Sequence, residues 1–580
     1  MVLAMLRNAM LLLVPLWPGL LALTSLALHG RRLGGLLAVA GTAPALLVAL
    51  NAGAYREETY PWLLFGTRLG LDRADAVFLS FAAIVWILAS VYALGTIRRE
   101  SGRERFFGLF LLTMSGNLGA LVAQDMPSFY AFYALMSFAA FGIIVHELTR
   151  EARHAAKIYI VLVVIGEAAL AAGMIIAAGA TGSSDFLAVR AGLEAVPLRH
   201  FVIALAFVGF GIKAGGLVLP VLRPLAHPVA PAAASAVLSG TIIVTGLVGW
   251  LRILPVGEWA LPGWGAACIG LGLAAAFYGA IVGMDQRRPK VVLAYSSISQ
   301  MGIMTAGVGM LLMEPALAPA LRVAIAFFAL HHGLAKCSLF LGAGLANSVV
   351  HARARRWLVT GLALPSLALA GAPFTSGMVV KSAIVAAEAQ LPPPWASALF
   401  YLLPLTSVAT ALLMARFLVL VRGLPAGTRP RASAGPWLAW CASLALVLLL
   451  PLWLAPTVGY AWAPPTFVDS AWPLGLALAV ALVAIGLWRR AGRPALPEIP
   501  AGDLLLPVER LMLRAQRALA ATAASVRPLG ERVKRAGAAG RRRAWALIEV
   551  SGSAEALLDR WRTALLLALV LGAVLALLAR

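Results

Sequence analysis

Eight ionisable side chains lie within or at the ends of long apolar runs. Lys213 sits in FVGFGIKAGG, and His227 follows inside a stretch interrupted by Gly215, Gly216, Pro220, Pro224, Pro228 and Pro231. Glu167 lies mid-run in IVLVVIGEAALAAG, and His331, His332 and Lys336 share ALHHGLAKCSLFL. Lys381 follows a second interruption, at Pro373 and Gly377, and Lys290 heads the run RRPKVVLAYSS. The chemistry open to such a set is proton handling. An amine withdrawn from water can gain and lose a proton near neutrality, where imidazole already titrates. A lysine–histidine–lysine row bridged by water would make a proton wire. His332 and Lys336 are four residues apart and so share one helix face. The bland alternative has each group capping a broken helix or bonding a carbonyl, with Lys213 snorkelling. Lys213 is too far inside its run for that, and several such stations in one chain favour the wire. Lys290, at the end of its run, also fits a simple positive-inside residue.

The elements that position these groups must be membrane helices. The 580 residues are 61% hydrophobic and only 12% charged, with mean hydropathy +0.90, which excludes a soluble protein. Lys+Arg number 47 against 24 Asp+Glu, a formal +23. These cations fall between apolar runs and so read as topology signals and headgroup contacts rather than as a nucleic-acid surface. Counting runs able to cross ~30 Å of hydrocarbon gives about sixteen helices. Their centres lie near residues 19, 43, 86, 115, 138, 169, 210, 242, 275, 302, 331, 372, 408, 446, 480 and 571. Residues 10–29 are long enough to span, so no cleavable signal peptide is expected.

Odd-numbered connections carry Arg98, Arg99, Arg103 and Arg105, then Arg150, Arg153 and Lys157, then Arg287 and Arg288, and so on. Even-numbered ones, such as Asn51–Asp75 and Gly182–Pro197, are acidic, neutral or rich in Trp and Pro. The positive-inside rule places the odd connections in the cytoplasm and the N-terminus outside. The broken runs, each with a lysine, in successive halves of the chain suggest inverted repeats. Beyond residue 490, Leu/Ala/Val stripes mixed with arginines read as an interfacial amphipathic helix on the cytoplasmic face, followed by one last span. Cys268, Cys337 and Cys441 form no CxxC pair, and there is no phosphate-binding glycine loop, nucleophile elbow or HExxH. No cofactor or metal is expected, and any redox centre would belong to another subunit.

The segments GFGIKAGG, AHPVAPAAASAVLSG, KVVLAYSSISQMG, HHGLAKCSLFLGAG and PFTSGMVVKS, spread over about 110 to 385, resemble the antiporter-like membrane subunits of respiratory complex I. They are similar also to Mrp cation/proton antiporter subunits and to those of group 4 membrane-bound hydrogenases. The resemblance implies two inverted five-helix repeats whose half-channels meet at a central lysine. It assigns Lys213 to the first-repeat lysine, Lys336 to the central one and Lys381 to the exit, with His227 and His332 as connecting stations. The C-terminal segment resembles the lateral helix of the most distal complex I subunit. In two places the chain departs from the family. Ala134 stands where the family has a fifth-span glutamate that pairs with the first-repeat lysine, and the Trp-Leu-Pro-Asp segment reads VLRPLAH. Either Glu167, one span later, replaces that acid, or the subunit couples differently.

The expected organisation is N-terminal membrane helices over 1–104, repeats over 105–256 and 257–424, and further membrane helices over 425–490. A lateral-type segment over 491–562 and an anchor over 563–580 complete it. The expected function is transport of protons, or of Na+ in exchange for them, by one subunit of a hetero-oligomeric energy-converting complex in a bacterial inner membrane. Its partners would be other membrane subunits and the lipid bilayer, with no nucleic acid. The competing readings are a proton-channel partner in a bicarbonate-uptake complex and a non-conducting membrane anchor.

Overall fold

The computed structural model describes residues 2–27, 33–55, 57–97, 102–215, 222–349, 351–425, 433–460, 462–491, 499–500 and 502. The amphipathic segment and anchor expected beyond residue 502 lie outside the described residues. Among those described, twelve helical stretches are long and apolar enough to cross a membrane. The other predicted centres before residue 490 fall on shorter or interrupted helices, because glycine and proline divide those runs.

The chain opens with α1 (Val2–Ala27), α2 (Gly34–Ala40) and α3 (Ala43–Leu50). A short antiparallel hairpin follows, β1 (Glu58–Tyr60) and β2 (Thr67–Leu69), with Glu58 opposite Leu69. This hairpin is an addition to the expected all-helical chain. Gly66 at φ +94° supplies the turn that few other residues could adopt. Then come α4 (Arg73–Thr96), α5 (Arg103–Val122), α6 (Met126–Ile144), α7 (Arg150–Thr181) and the short α8 (Phe186–Gly192). Side-chain caps fix their starts: Asp72 and Asp75 form a capping box on α4, Asp125 caps α6, and Thr149 caps α7.

The first broken helix consists of α9 (Arg199–Ala214) and α10 (Leu222–Val229). Gly215 ends α9 in the left-handed region at φ +74°. Lys213 therefore lies in the last turn of α9, not in the middle of a helix as the apolar run suggested. Next, α11 (Ala232–Val237) runs through a π-helical segment (Leu238–Ile242) into α12 (Ile243–Ile253). The second half repeats the theme with α13 (Pro262–Asp285), α14 (Pro289–Met313), α15 (Ala318–Ala346), α16 (Ala352–Ala370), α17 (Ser376–Glu388) and α18 (Trp395–Arg422). The interruption between α16 and α17 begins at Gly371, φ +83°. Finally α19 (Ala434–Thr457) and α20 (Pro464–Ala491) pack beside this half.

The tightest seam joins α13 and α14. Gly265, Gly272 and Gly279 recur every seventh residue along one face of α13 and meet Gly309, Gly302 and Tyr295 in reverse order on α14, so the helices run antiparallel. A Cβ built on Gly272 would lie 2.5 Å from the Gly302 carbonyl oxygen, and one on Gly302 would press on the Gly272 carbonyl. In a membrane, where apolar side chains gain little by leaving lipid, such close backbone approach is a main source of helix association. Gly302→Val is expected to push the helices apart at a cost of about 1–3 kcal/mol. Thermal unfolding in detergent would read it against Gly270→Val, a position with nothing within 4 Å. Equal midpoints for the two variants would contradict the seam.

Contacts between connections sort by parity. Arg322 pairs with Asp72 (3.0 Å), Arg190 with Glu258 (3.3 Å), Arg252 with Asp75 (2.9 Å), and Arg68 with both Glu57 and Asp185. All of these residues lie in or beside even-numbered connections. The odd-numbered ones make their own contacts, Arg288 with Glu151 (3.3 Å) and Arg105 with the His146 carbonyl (2.9 Å). The alternation read from charge thus corresponds to two opposite faces.

Candidate functional site: a buried polar row

The row starts where α6, α7 and α9 meet. Lys213 Nζ donates to Ser137 Oγ, and Ser137 Oγ lies 2.7 Å from Glu167 Oε1 and 2.6 Å from the Tyr133 carbonyl oxygen. A hydroxyl has one proton to give. Ser137 therefore accepts from Lys213 and donates either to the carboxylate or to the carbonyl. The ammonium also faces the Tyr133 ring, 4.8 Å from its centroid, a favourable cation–π placement. Tyr159 donates to the Ser137 carbonyl at 3.1 Å, fixing the helix turn that carries the serine. Glu167 Oε2 is buried without a partner.

The break itself supplies the next groups. Arg223, on the first turn of α10, reaches back and donates to the Lys213 carbonyl at 2.6 Å. That bond satisfies one of the acceptors that the end of α9 leaves open. His227, one turn on, packs its ring 4.8 Å from Phe340 of α15. Lys213, Arg223 and His227 share a cavity of about 40 Å³ with Ile144, Tyr159 and Ile212 among its walls, ample for water. The charges of Arg223, Lys290 and Lys336 all reach His227.

Lys336 lies at the centre of α15 and is wholly buried. Its Nζ donates to the Leu293 carbonyl at 2.9 Å and to Ser296 Oγ, both on α14. The π-helical segment presses on the same helix: Gly240 and Gly333 approach so closely that either Cβ would crowd the other's carbonyl. This contact sets Ser239 beside Ser297, with hydroxyls 2.7 Å apart, and faces Ser239 toward His332. A π-bulge at such a place re-aims side chains without ending the helix. His331 bonds Ser376 Oγ, the first residue of α17, at 2.8 Å. Lys381 lies one to two turns further along α17, bonded to Ser407 Oγ (3.0 Å) and to the Ala370 carbonyl (3.3 Å), and its charge reaches His331.

Residues 123–407 match the family described as "NADH:quinone oxidoreductase/Mrp antiporter, TM". The matched stretch, just under half of the chain, is similar to this family. It is 27% identical to hydrogenase-4 component B of Escherichia coli over 54% of this chain and 49% of that one. It is 26% identical to an Na(+)/H(+) antiporter subunit of Alkalihalophilus pseudofirmus over 56% of this chain and 67% of that one. The chain thus spans only about half the length of the hydrogenase component. Its fold is that of a chain in the Mrp complex from Dietzia sp. DQ12-45-1b, with a TM-score of 0.74 and 21% identity, covering 95% of this chain and 63% of that one.

Of the predicted residues, Glu167, Lys213, His227, His331, His332 and Lys336 are buried and Lys381 is half-buried. Lys290, half-buried at the start of α14, donates to the Ala230 carbonyl at 2.7 Å. Glu167 meets Lys213 through Ser137, while Ala134, at the family's glutamate position, contributes no polar group. Sequence reasoning missed Ser137, Ser296, Ser376 and Ser407, the hydroxyls that bond these stations. It also passed over Arg223 as a residue of the site, although an arginine between two interrupting prolines was a visible signal.

Proposed function

We propose that the chain carries protons, or exchanges Na+ for them, across a bacterial inner membrane as one subunit of a larger energy-converting complex. The single observation that carries this is the Glu167–Ser137–Lys213 cluster, in an interior that also holds His227, His331, His332, Lys336 and the half-buried Lys381. Such groups are too costly to keep inside a membrane core without a task. In this reading Lys213 and Glu167 exchange a proton through Ser137, water in the cavity beside His227 links it onward, and Lys336 passes it toward His331 and Lys381. In this reading Glu167 takes the part of the acid missing at Ala134. The arginine-rich odd connections face the cytoplasm and the N-terminus lies outside, by the positive-inside rule. The similar hydrogenase and Mrp proteins support membrane subunits as partners.

The test is proton uptake by vesicles containing the intact complex, with assembly followed on native gels. Glu167→Gln keeps the shape but removes the titrating group, and Ser137→Ala removes the bridge. Both are expected to assemble and to lose most uptake, with Ser137→Ala the milder because water can replace a hydroxyl. Wild-type uptake in Glu167→Gln would remove the cluster from the route.

A further inference from the structure

The cavity beside the first break has an electrostatic imbalance that the proton row does not use. Arg223 is 7% exposed, carries a charge that no accessible pH removes, and among the described residues has only the Lys213 carbonyl as a hydrogen-bond acceptor. Its Nη1 is buried without a partner, as is Nδ1 of His227, and both residues line the cavity. Around them stand three further basic side chains: Lys213 in the same wall, and Lys290 and Lys336 within electrostatic reach. Compensation from the protein is scarce. Neither α6, α9, α10 nor the helix from Ala232 to Ile253 contains an aspartate or glutamate. The lining helix α7 offers only Glu167 near this level, and that carboxylate is engaged with Lys213 through Ser137. A buried charge left this way is strongly unfavourable unless a counter-charge is present. Water in the cavity would solvate the guanidinium but would not neutralise it.

We propose that this cavity, walled by Lys213, Arg223 and His227, binds one small monovalent anion of halide size, with chloride the natural occupant. The volume of about 40 Å³ is enough for a chloride ion. The apolar walls, Ile144, Ile212, Leu238, Ile242 and Ile243, suit a weakly hydrated anion held by few donors. The anion's role is to complete the charge balance of the break, so the fold in this region depends on it whether or not protons pass.

The experiment uses the full chain purified in detergent and reads binding rather than transport. Thermal unfolding is followed as chloride replaces gluconate at constant ionic strength and constant cation. A saturable rise in the midpoint is expected, since a ligand that binds only the folded state stabilises it. Arg223→Gln is expected to abolish that rise. Crystals grown in bromide should show an anomalous peak within hydrogen-bond distance of the Arg223 guanidinium. If Arg223→Gln does not fold, Ala226→Asp decides, because it tethers a carboxylate to the cavity wall. It should raise stability in gluconate and remove the chloride response. A midpoint indifferent to chloride, an empty bromide map, or an undiminished response in Ala226→Asp would each overturn the proposal.

Discussion

Lys336→Ala is expected to reduce proton uptake to the leak of vesicles lacking the protein, while the complex still assembles. The ammonium is fully enclosed, and its partners, the Leu293 carbonyl and Ser296 Oγ, belong to α14. Neither partner is orphaned by the change. The Leu293 carbonyl also accepts from Ser297 Oγ at 3.1 Å, and Ser296 can return to that same carbonyl at 3.1 Å. The variant therefore loses a proton carrier without leaving a costly unmet donor or acceptor behind. Lys336→Arg separates charge from proton exchange, because guanidinium keeps its proton at any working pH. It too should be inactive. Uptake by Lys336→Ala at the wild-type rate would mean that the row is not the route. Retained uptake in Lys336→Arg alone would mean that the site needs only a fixed charge.

The second large effect concerns stability. Arg252, near the end of α12, is 5% exposed and pairs with Asp75 of α4 at 2.9 Å. The same guanidinium donates to the carbonyls of Ala120, Leu121 and Ala123 at the end of α5, and faces the Phe129 ring at 5.6 Å. One side chain thus closes three helix ends at the even-connection face. Arg252→Leu would strand the Asp75 carboxylate, left with Gln124 at 2.9 Å and the Asp72 backbone N–H at 3.4 Å, together with the α5 carbonyls. Breaking a buried pair from one side costs about 3–5 kcal/mol. Denaturant unfolding in detergent should show it, with the exposed Arg288→Leu as control. A loss no greater than the control's would show that water takes over these acceptors.

Most of the membrane helices were legible in the sequence because length and apolarity alone specify a span. The lysine stations were legible for the complementary reason, since charge inside such a run is rare. What stayed hidden was facing. A helix apolar all round carries no periodic stripe to say which side meets its neighbours. Glu167 could thus be placed on α7 but not turned toward Lys213. Ser137 was invisible for a second reason: a serine within a helix ordinarily bonds the carbonyl four residues back, as this one does to Tyr133. The hairpin at Glu58–Leu69 escaped because its strands are only three residues each. The reach of Arg223 to the Lys213 carbonyl crosses a break whose geometry no spacing rule supplies. The heptad of glycines on α13 was present in the sequence, yet its partner Gly302 emerges only when α14 runs back alongside.

On the proposed route, the single hydroxyl between Lys213 and Glu167 imposes an order on events. When Ser137 takes a proton from the amine on one lone pair and releases its own to the carboxylate, its O–H ends pointing back at the donor. A second transfer in the same direction must wait until the bond has swung round. The Tyr133 carbonyl, 2.6 Å away, offers it a resting place on that swing. On the proposed route the contact works as a turnstile: it admits one proton per rotation, and its reset time bounds the rate at which this end of the row can run.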